Sequence, residues 1–217
     1  MTPPIPVIRR RQLLHIVLAG AGTIAFPALW LGPRAAPPAP LRPTPAQTEG
    51  PFYPVVLPAD SDADLLVNGT RRAVAATAVT LAGRVVDLDG RPLKSAVVEI
   101  WQCDAQGRYH HPGDRGGRAD PDFQGFGRSS VDGDGRYRFR TLRPVSYPGR
   151  TPHIHVKVRL GARALLTTQL YVEGDPGNER DGLWRGLRDA ADRAALTRPF
   201  VAGADGLSAE FPIVIAA

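Results

Sequence analysis

The feature that most constrains the fold is a period-two alternation of apolar and polar residues, which runs from Thr77 onward. It is clearest at 136–142, where Tyr137 and Phe139 alternate with arginines. Successive side chains of a strand point to opposite faces, so this pattern predicts a strand with one buried face. Comparable patterns predict further strands at 79–86, 96–103, 153–160, 164–172 and 211–215.

Turn signals separate these segments. Asp87–Gly90 and Asp132–Gly135 each end in glycine, which supplies the positive φ that tight turns need. Several short strands joined by such turns predict an all-β fold, specifically an antiparallel β-sandwich with long loops. One helix is expected, from about Glu179 to Ala195. A chain of 217 residues is long enough for one domain with a sizeable core.

The amino terminus has the pattern of a targeting segment. Three arginines and a Leu-Leu pair occupy residues 9–14, and an uncharged apolar run follows from 16 to about 31. This is typical of an export signal of the twin-arginine type, with a short membrane anchor as the alternative. We therefore expect a signal at 1–36, a Pro/Ala-rich linker at 37–46, a domain at 47–217, and a periplasmic or extracellular location.

Charge and cysteine content exclude some classes of function. Four arginines of the first 36 residues account for four of the six net positive charges, which leaves +2 for the remainder. That balance does not suggest nucleic-acid binding. Cys103 is the only cysteine, so the chain can form no intramolecular disulfide, and we interpret this residue as a buried, inert thiol.

A His-Ile-His sequence is the first candidate for chemistry. His153 and His155 lie two residues apart on a predicted strand, so both point to one face with Cα atoms about 6–7 Å apart. Lys157 and Arg159 continue that face, which therefore should be the polar side, facing a cleft or solvent. The pair indicates a metal site or, alternatively, an ordinary exposed strand face.

Three motifs together carry a resemblance. They are Gln47-Thr-Glu-Gly-Pro-Phe-Tyr53, then Trp101-Gln with Asp104 and Gly107-x-Tyr109, and finally Tyr147 with Arg150-x-x-His153-x-His155. Over roughly residues 47–173 the chain resembles the intradiol ring-cleavage dioxygenases, the family of protocatechuate and catechol dioxygenases.

The resemblance implies a non-haem iron(III), Fe(3+), held by two tyrosinates and two imidazoles. On this chain those ligands would be Tyr109, Tyr147, His153 and His155. Phenolate is a hard anionic donor that suits a trivalent ion, and metal binding must lower the pKa of each tyrosine well below its free value of about 10. The reaction implied is the cleavage of a catechol-type aromatic ring between its two hydroxylated carbons, which yields a muconate-type diacid.

Further roles follow from the same resemblance. Arg150 would stabilise negative charge on the ring, and Gln169 would form a hydrogen bond near the oxygen site. Tyr147 would dissociate from the metal and accept a proton from the substrate. Gly50, Pro51 and Tyr53 would line the substrate pocket. The partners implied are a small aromatic diol, O2 and further copies of the chain.

Two other classes of function stay open. One is an exported, transthyretin-like β-sandwich that binds without catalysis, since a sandwich hosts many binding functions. The other is a zinc or copper hydrolase built on the His pair, which would need a third His or a carboxylate as ligand.

Overall fold

The computed structural model describes residues 41–74, 77–204 and 206–216. Its strands, in chain order, are β1 (Val67–Asn68), β2 (Arg71–Arg72), β3 (Ala78–Asp87), β4 (Ala96–Trp101), β5 (Phe126–Ser130), β6 (Arg136–Leu142), β7 (His153–Leu160), β8 (Arg163–Val172), β9 (Thr197–Arg198), β10 (Val201–Gly203), β11 (Gly206–Glu210) and β12 (Ile213–Ile215). A 3₁₀ turn at Asn178–Arg180 precedes helices α1 (Gly182–Gly186) and α2 (Ala190–Leu196).

Two five-stranded sheets form the sandwich. In the first sheet, β3 pairs with β6 on one side and with β11 and β12 on the other, and β10 extends β11. The second sheet has the order β5-β4-β7-β8-β9. The core between them contains residues from both sheets, among them Leu81, Phe139, Ile100, Ile154 and Val156. The predicted all-β sandwich is confirmed, and parallel pairings of β11 and β12 with β3, and of β9 with β8, add to its antiparallel ladders.

A close approach between the first sheet and the chain's end shows how tightly this core is fitted. The Tyr137 hydroxyl donates to the Phe211 carbonyl at 2.6 Å. A Cβ on Gly83 would lie 2.0 Å from that carbonyl oxygen, so only glycine fits there.

The predicted strands agree closely with the structure. Those at 136–142 and 153–160 have the predicted bounds, the one at 79–86 is a residue short at each end, and the one at 164–172 is a residue short at its start. The predictions at 96–103 and 211–215 are each two residues longer than β4 and β12. Strand β5 was not expected, because Phe126–Ser130 contains glycine and two serines and lacks an apolar run.

The prediction of one helix from Glu179 to Ala195 is wrong. Asp181 and Asp189 are both extended, and their side chains accept the first backbone N–H groups of α1 and α2. Aspartate competes for those N–H groups and so favours helix starts over helix interiors, which divides the segment.

The predicted signal at 1–36 lies outside the described residues. Residues 41–46 of the predicted linker have an extended course along the domain, with hydrogen bonds from Leu41 to Leu88 and from Thr44 to Val214. Among the described residues no helix is long and apolar enough to cross a membrane.

Candidate active site

The outer face of the second sheet carries the candidate residues. Trp101 of β4, His155 of β7 and Gln169 of β8 are direct neighbours across three strands, and His153 pairs with Tyr171. His153 and His155 are each 1% exposed, and Lys157 is 5% exposed. These three side chains therefore do not face open solvent, because loops and the segment 47–53 cover this part of the sheet.

The two imidazoles converge. Their Nε2 atoms are 3.2 Å apart, and Nδ1 of His153 lies 2.7 Å from the Thr151 carbonyl oxygen. That contact requires a proton on Nδ1, which leaves the Nε2 lone pair free to bind a cation. Burial, together with the Arg150 guanidinium, lowers the pKa of His153 to about 4, and burial lowers that of His155 well below its ordinary value. Both rings are therefore neutral at pH 7, as a metal ligand must be.

Tyr109 is held in place by two carboxylates of its own loop, the buried Asp104 and the half-buried Asp114. Asp104 accepts the backbone N–H groups of Gln106 and Arg108, and Asp114 accepts that of Tyr109 at 2.6 Å. A Cβ on Gly107, whose φ is +78°, would lie 3.3 Å from the Tyr147 Cβ. Glycine at this position thus lets the two tyrosine loops approach each other.

Tyr147 begins a tight turn that ends at Arg150, whose N–H donates to the Tyr147 carbonyl at 2.9 Å. The turn places the Tyr147 ring 5.5 Å from that of His153 and 5.6 Å from that of Tyr109. The Tyr109 ring is 6.3 Å from that of His155. The structure therefore brings together all four residues that the motifs single out as ligands.

The two phenols are uncharged in this environment. Burial raises the pKa of Tyr109 well above 10 and raises that of Tyr147 as well. The Tyr109 hydroxyl is buried and has no hydrogen-bond partner among the residues that the structure describes, an arrangement that costs free energy unless another group satisfies the oxygen. A bound cation would do so and would favour the phenolate form. The four residues thus fit a metal ion.

The segment Gln47–Tyr53 covers this cluster. Gly50 has φ +72°, and a Cβ there would lie 3.2 Å from Cε1 of His155. The Phe52 ring stacks on Tyr109 at 4.6 Å, and the Tyr53 ring meets Trp101 edge-on at 5.1 Å. Pro51 is exposed. That Gly50, Pro51 and Tyr53 contact a substrate stays a prediction.

Polar contacts fasten the same segment to the sheet. Lys157 forms an ion pair with Glu49, and its Nζ lies 3.5 Å from the centre of the Tyr53 ring. The Tyr53 hydroxyl donates to the buried Glu99 at 2.9 Å. Sequence reasoning missed these contacts because they join residues about 50 to 110 positions apart.

Arg150 and Gln169 also meet. The Arg150 guanidinium donates to Oε1 of Gln169, whose Nε2 donates to the Thr48 carbonyl at 3.1 Å. The Arg150 Nε donates to Asp181 at 2.8 Å. Burial alone would raise the pKa of Asp181, but hydrogen bonds from Arg150 and two backbone N–H groups outweigh it, so the pKa is lowered and the carboxylate is ionised. Sequence reasoning placed Asp181 only as a helix residue.

One cavity of about 400 Å³ borders this cluster, and Tyr147, Arg150, Arg180 and Asp181 are among its lining residues. A larger cavity of about 590 Å³ lies on the first sheet, near Arg84 and Arg138, away from the cluster. Within residues 41–74, 77–204 and 206–216, no three His, Cys, Asp or Glu side chains form a metal-binding group. The third ligand of that kind, which a zinc or copper hydrolase would need, is not found there.

Cys103, His110 and His111 lie beside the site without joining it. Cys103 is buried, and burial raises the pKa of its thiol to about 12, which agrees with an inert role. His110 is exposed, and His111 accepts the Gly113 N–H within its loop at 3.0 Å.

Comparison with known proteins gives consistent matches. A family model described as "Dioxygenase" matches residues 48–214. The protocatechuate 3,4-dioxygenase beta chain of Burkholderia cepacia is 39% identical over 131 residues, which cover 55% of each chain. The dioxygenase domain of a dioxygenase–carbohydrate-binding protein fusion from Streptomyces sp. SirexAA-E is 32% identical, with a TM-score of 0.62 over 81% of this chain and 99% of that domain.

A further solved structure supports the fold alone. The intradiol ring-cleavage dioxygenase from Tetranychus urticae has a TM-score of 0.66 at 22% identity, over 81% of this chain and 95% of that one. The chain spans about half the length of the curated relatives it matches.

Proposed function

Because this chain belongs to the intradiol ring-cleavage dioxygenase family, we propose that it is a non-haem iron(III) dioxygenase acting on catechol-type diols. It opens the ring between the two hydroxylated carbons with O2 and releases a muconate-type diacid. The observation that carries the proposal is the meeting of two phenols and two neutral imidazoles in one cluster, in which the Tyr109 hydroxyl has no hydrogen-bond partner within the described part of the chain.

Tyr109, Tyr147, His153 and His155 would hold the iron. Two phenolates bring two negative charges to the ion, which favours the trivalent state over the divalent one. When bound, the iron supplies Lewis-acid and redox chemistry to a chelated diol. Loading it requires both phenols to lose their protons, so binding must overcome the pKa values that burial raises.

The chain's own side chains supply the remaining steps. Tyr147 is half-buried and borders the cavity, so its phenolate oxygen can accept one proton from an incoming diol. Arg150 borders the same cavity with a permanent positive charge, which would stabilise negative charge that develops on the ring. Gln169 is held between Arg150 and Thr48, with its amide in a single orientation next to His155.

Iron content and colour test the proposal. Protein expressed in iron-replete medium should contain about one iron per chain, show a broad visible tyrosinate-to-iron band, and take up O2 with one or more members of a catechol panel. Tyr109→Phe should weaken or shift that band. Tyr137→Phe removes a buried phenol outside the cluster and serves as the matched control.

The binding-module alternative predicts a different result. A colourless protein that carries its full complement of iron, or an iron-loaded protein inactive on every catechol tested, would contradict the dioxygenase proposal. Zinc in place of iron from the same medium would favour the hydrolase class.

We also propose that the mature domain is exported. The support is the arginine-rich start and uncharged apolar run within residues 9–31. Cell fractionation of the full chain and of an Arg10→Lys/Arg11→Lys variant tests this, since retention of only the variant in the cytoplasm is expected. Self-association stays a prediction, which light scattering on the purified domain tests.

A further inference from the structure

We propose that Asp181 is a positioning residue that holds the Arg150 guanidinium against Gln169 at the edge of the candidate iron site. The inference rests on the proposed function for its kinetic consequence, although the placement of Arg150 can be measured without activity. Asp181 lies outside the three motifs, on the loop that leads into α1.

Both oxygens of the Asp181 carboxylate are fully used. Oδ1 accepts the backbone N–H groups of Leu183 and Trp184 at 2.9 and 3.1 Å. Oδ2 accepts the Arg150 Nε at 2.8 Å and the Thr151 N–H at 3.0 Å. Asp181 is 1% exposed, so water does not compete for these four contacts.

A helix cap alone does not require this arrangement. One side-chain oxygen suffices to cap a helix, and serine does so about as well as aspartate. The second oxygen of Asp181 instead joins α1 to the turn that carries Arg150. The Thr151 N–H donates to that same oxygen, and the Thr151 carbonyl accepts from Nδ1 of His153. Thr151 therefore links the Asp181 carboxylate to the imidazole cluster.

Arg150 depends on this contact for its orientation. Its side chain is 16% exposed, and its described side-chain partners are Asp181 and Gln169. A buried guanidinium without a counter-charge is costly and would turn toward water. Arg150 would then leave both Gln169 and the edge of the cavity where charge develops on the ring.

Asp189 provides a matched control. It caps α2 through Oδ1 and pairs through Oδ2 with an arginine, Arg42, at 2.6 Å. That arginine lies on the surface, and neither residue lines the cavity beside Tyr147. Asp181→Ser and Asp189→Ser therefore each keep a helix cap and remove one arginine–carboxylate pair.

Iron-loaded Asp181→Ser should retain its iron content and resting visible band, and its kcat should fall on the order of 10- to 100-fold, as for a misplaced catalytic group. Asp189→Ser should stay within twofold of the unmodified enzyme. In an Arg150→Ala background, Asp181→Ser should lower kcat no further, because the two residues act as a unit. Asp181→Asn, which keeps the side-chain shape, is the second variant if Asp181→Ser does not fold.

Two outcomes would overturn the inference. One is a kcat of Asp181→Ser within twofold of the unmodified enzyme at full iron content. The other is a further loss from Asp181→Ser in the Arg150→Ala background equal to its loss alone.

A readout without activity separates this inference from the proposed function. A crystal structure of metal-free Asp181→Ser should show the Arg150 guanidinium displaced from Gln169. The shifts in Tm of Asp181→Ser and of Arg150→Ala should not add in the variant that carries both substitutions. An unmoved guanidinium would refute the positioning role. A chain inactive on all catechols would refute the dioxygenase proposal and leave this placement to be decided by the crystal structure.

Discussion

Replacing Gly50 by alanine should weaken iron binding through His155, and the structure offers a control that separates this effect from backbone strain. Gly50 has φ +72°, and Gly69 has φ +61°. An added Cβ would lie 3.2 Å from the His155 Cε1 at Gly50, whereas at Gly69 it would meet no atom of the described residues within 4 Å.

The expected magnitudes follow from these two environments. An L-residue in the left-handed region costs about 1–2 kcal/mol, which both variants incur. At Gly50 the imidazole must also move by a few tenths of an ångström, and turning it away from its preferred rotamer costs a further ~0.5–1.5 kcal/mol. Gly69→Ala should therefore lower Tm by about 2–8 °C, and Gly50→Ala should lower it by several degrees more.

Thermal unfolding of the metal-free proteins and iron titrations of both variants measure this. Iron content and the visible band should be unchanged in Gly69→Ala and reduced in Gly50→Ala. Equal losses of Tm in the two variants, with full iron content in both, would refute the close approach of Gly50 to His155.

Three further predictions concern single side chains. Tyr147→Phe should shift the visible band and slow turnover while circular dichroism stays unchanged; an unaltered spectrum would exclude Tyr147 from the metal. Arg150→Ala should lower kcat by on the order of 10²-fold with little loss of iron, as for removal of one positioned donor, and loss of the iron itself would make its role structural. Tyr137→Phe should cost about 1–3 kcal/mol in urea unfolding, because it leaves the buried Phe211 carbonyl unpaired, and should not affect activity. Burial raises the pKa of Tyr137, so its neutral form contributes fully to the free energy of unfolding below about pH 10, and that contribution is lost as pH rises further. Above pH 10 the Tyr137→Phe variant should therefore lose less stability than the unmodified protein does.

The local patterns were sufficient for most of the fold. The alternation at 136–142 and 153–160 predicted β6 and β7 with their observed bounds, because a sheet residue's environment repeats every second position. Aspartates at 181 and 189 were misjudged because a helical spacing of apolar residues does not reveal that a side chain accepts the backbone N–H groups at a helix start.

The sequence by itself determined which residue types are available for chemistry, namely the His-x-His pair and the two tyrosines in their motifs. Only the tertiary structure decided that the His face is buried, since its cover comes from Gln47–Tyr53, about 100 positions earlier in the chain. It also decided that Asp181 bonds Arg150 across 31 positions. Such contacts depend on how two sheets and their loops pack in space, and no periodicity along the chain carries that information.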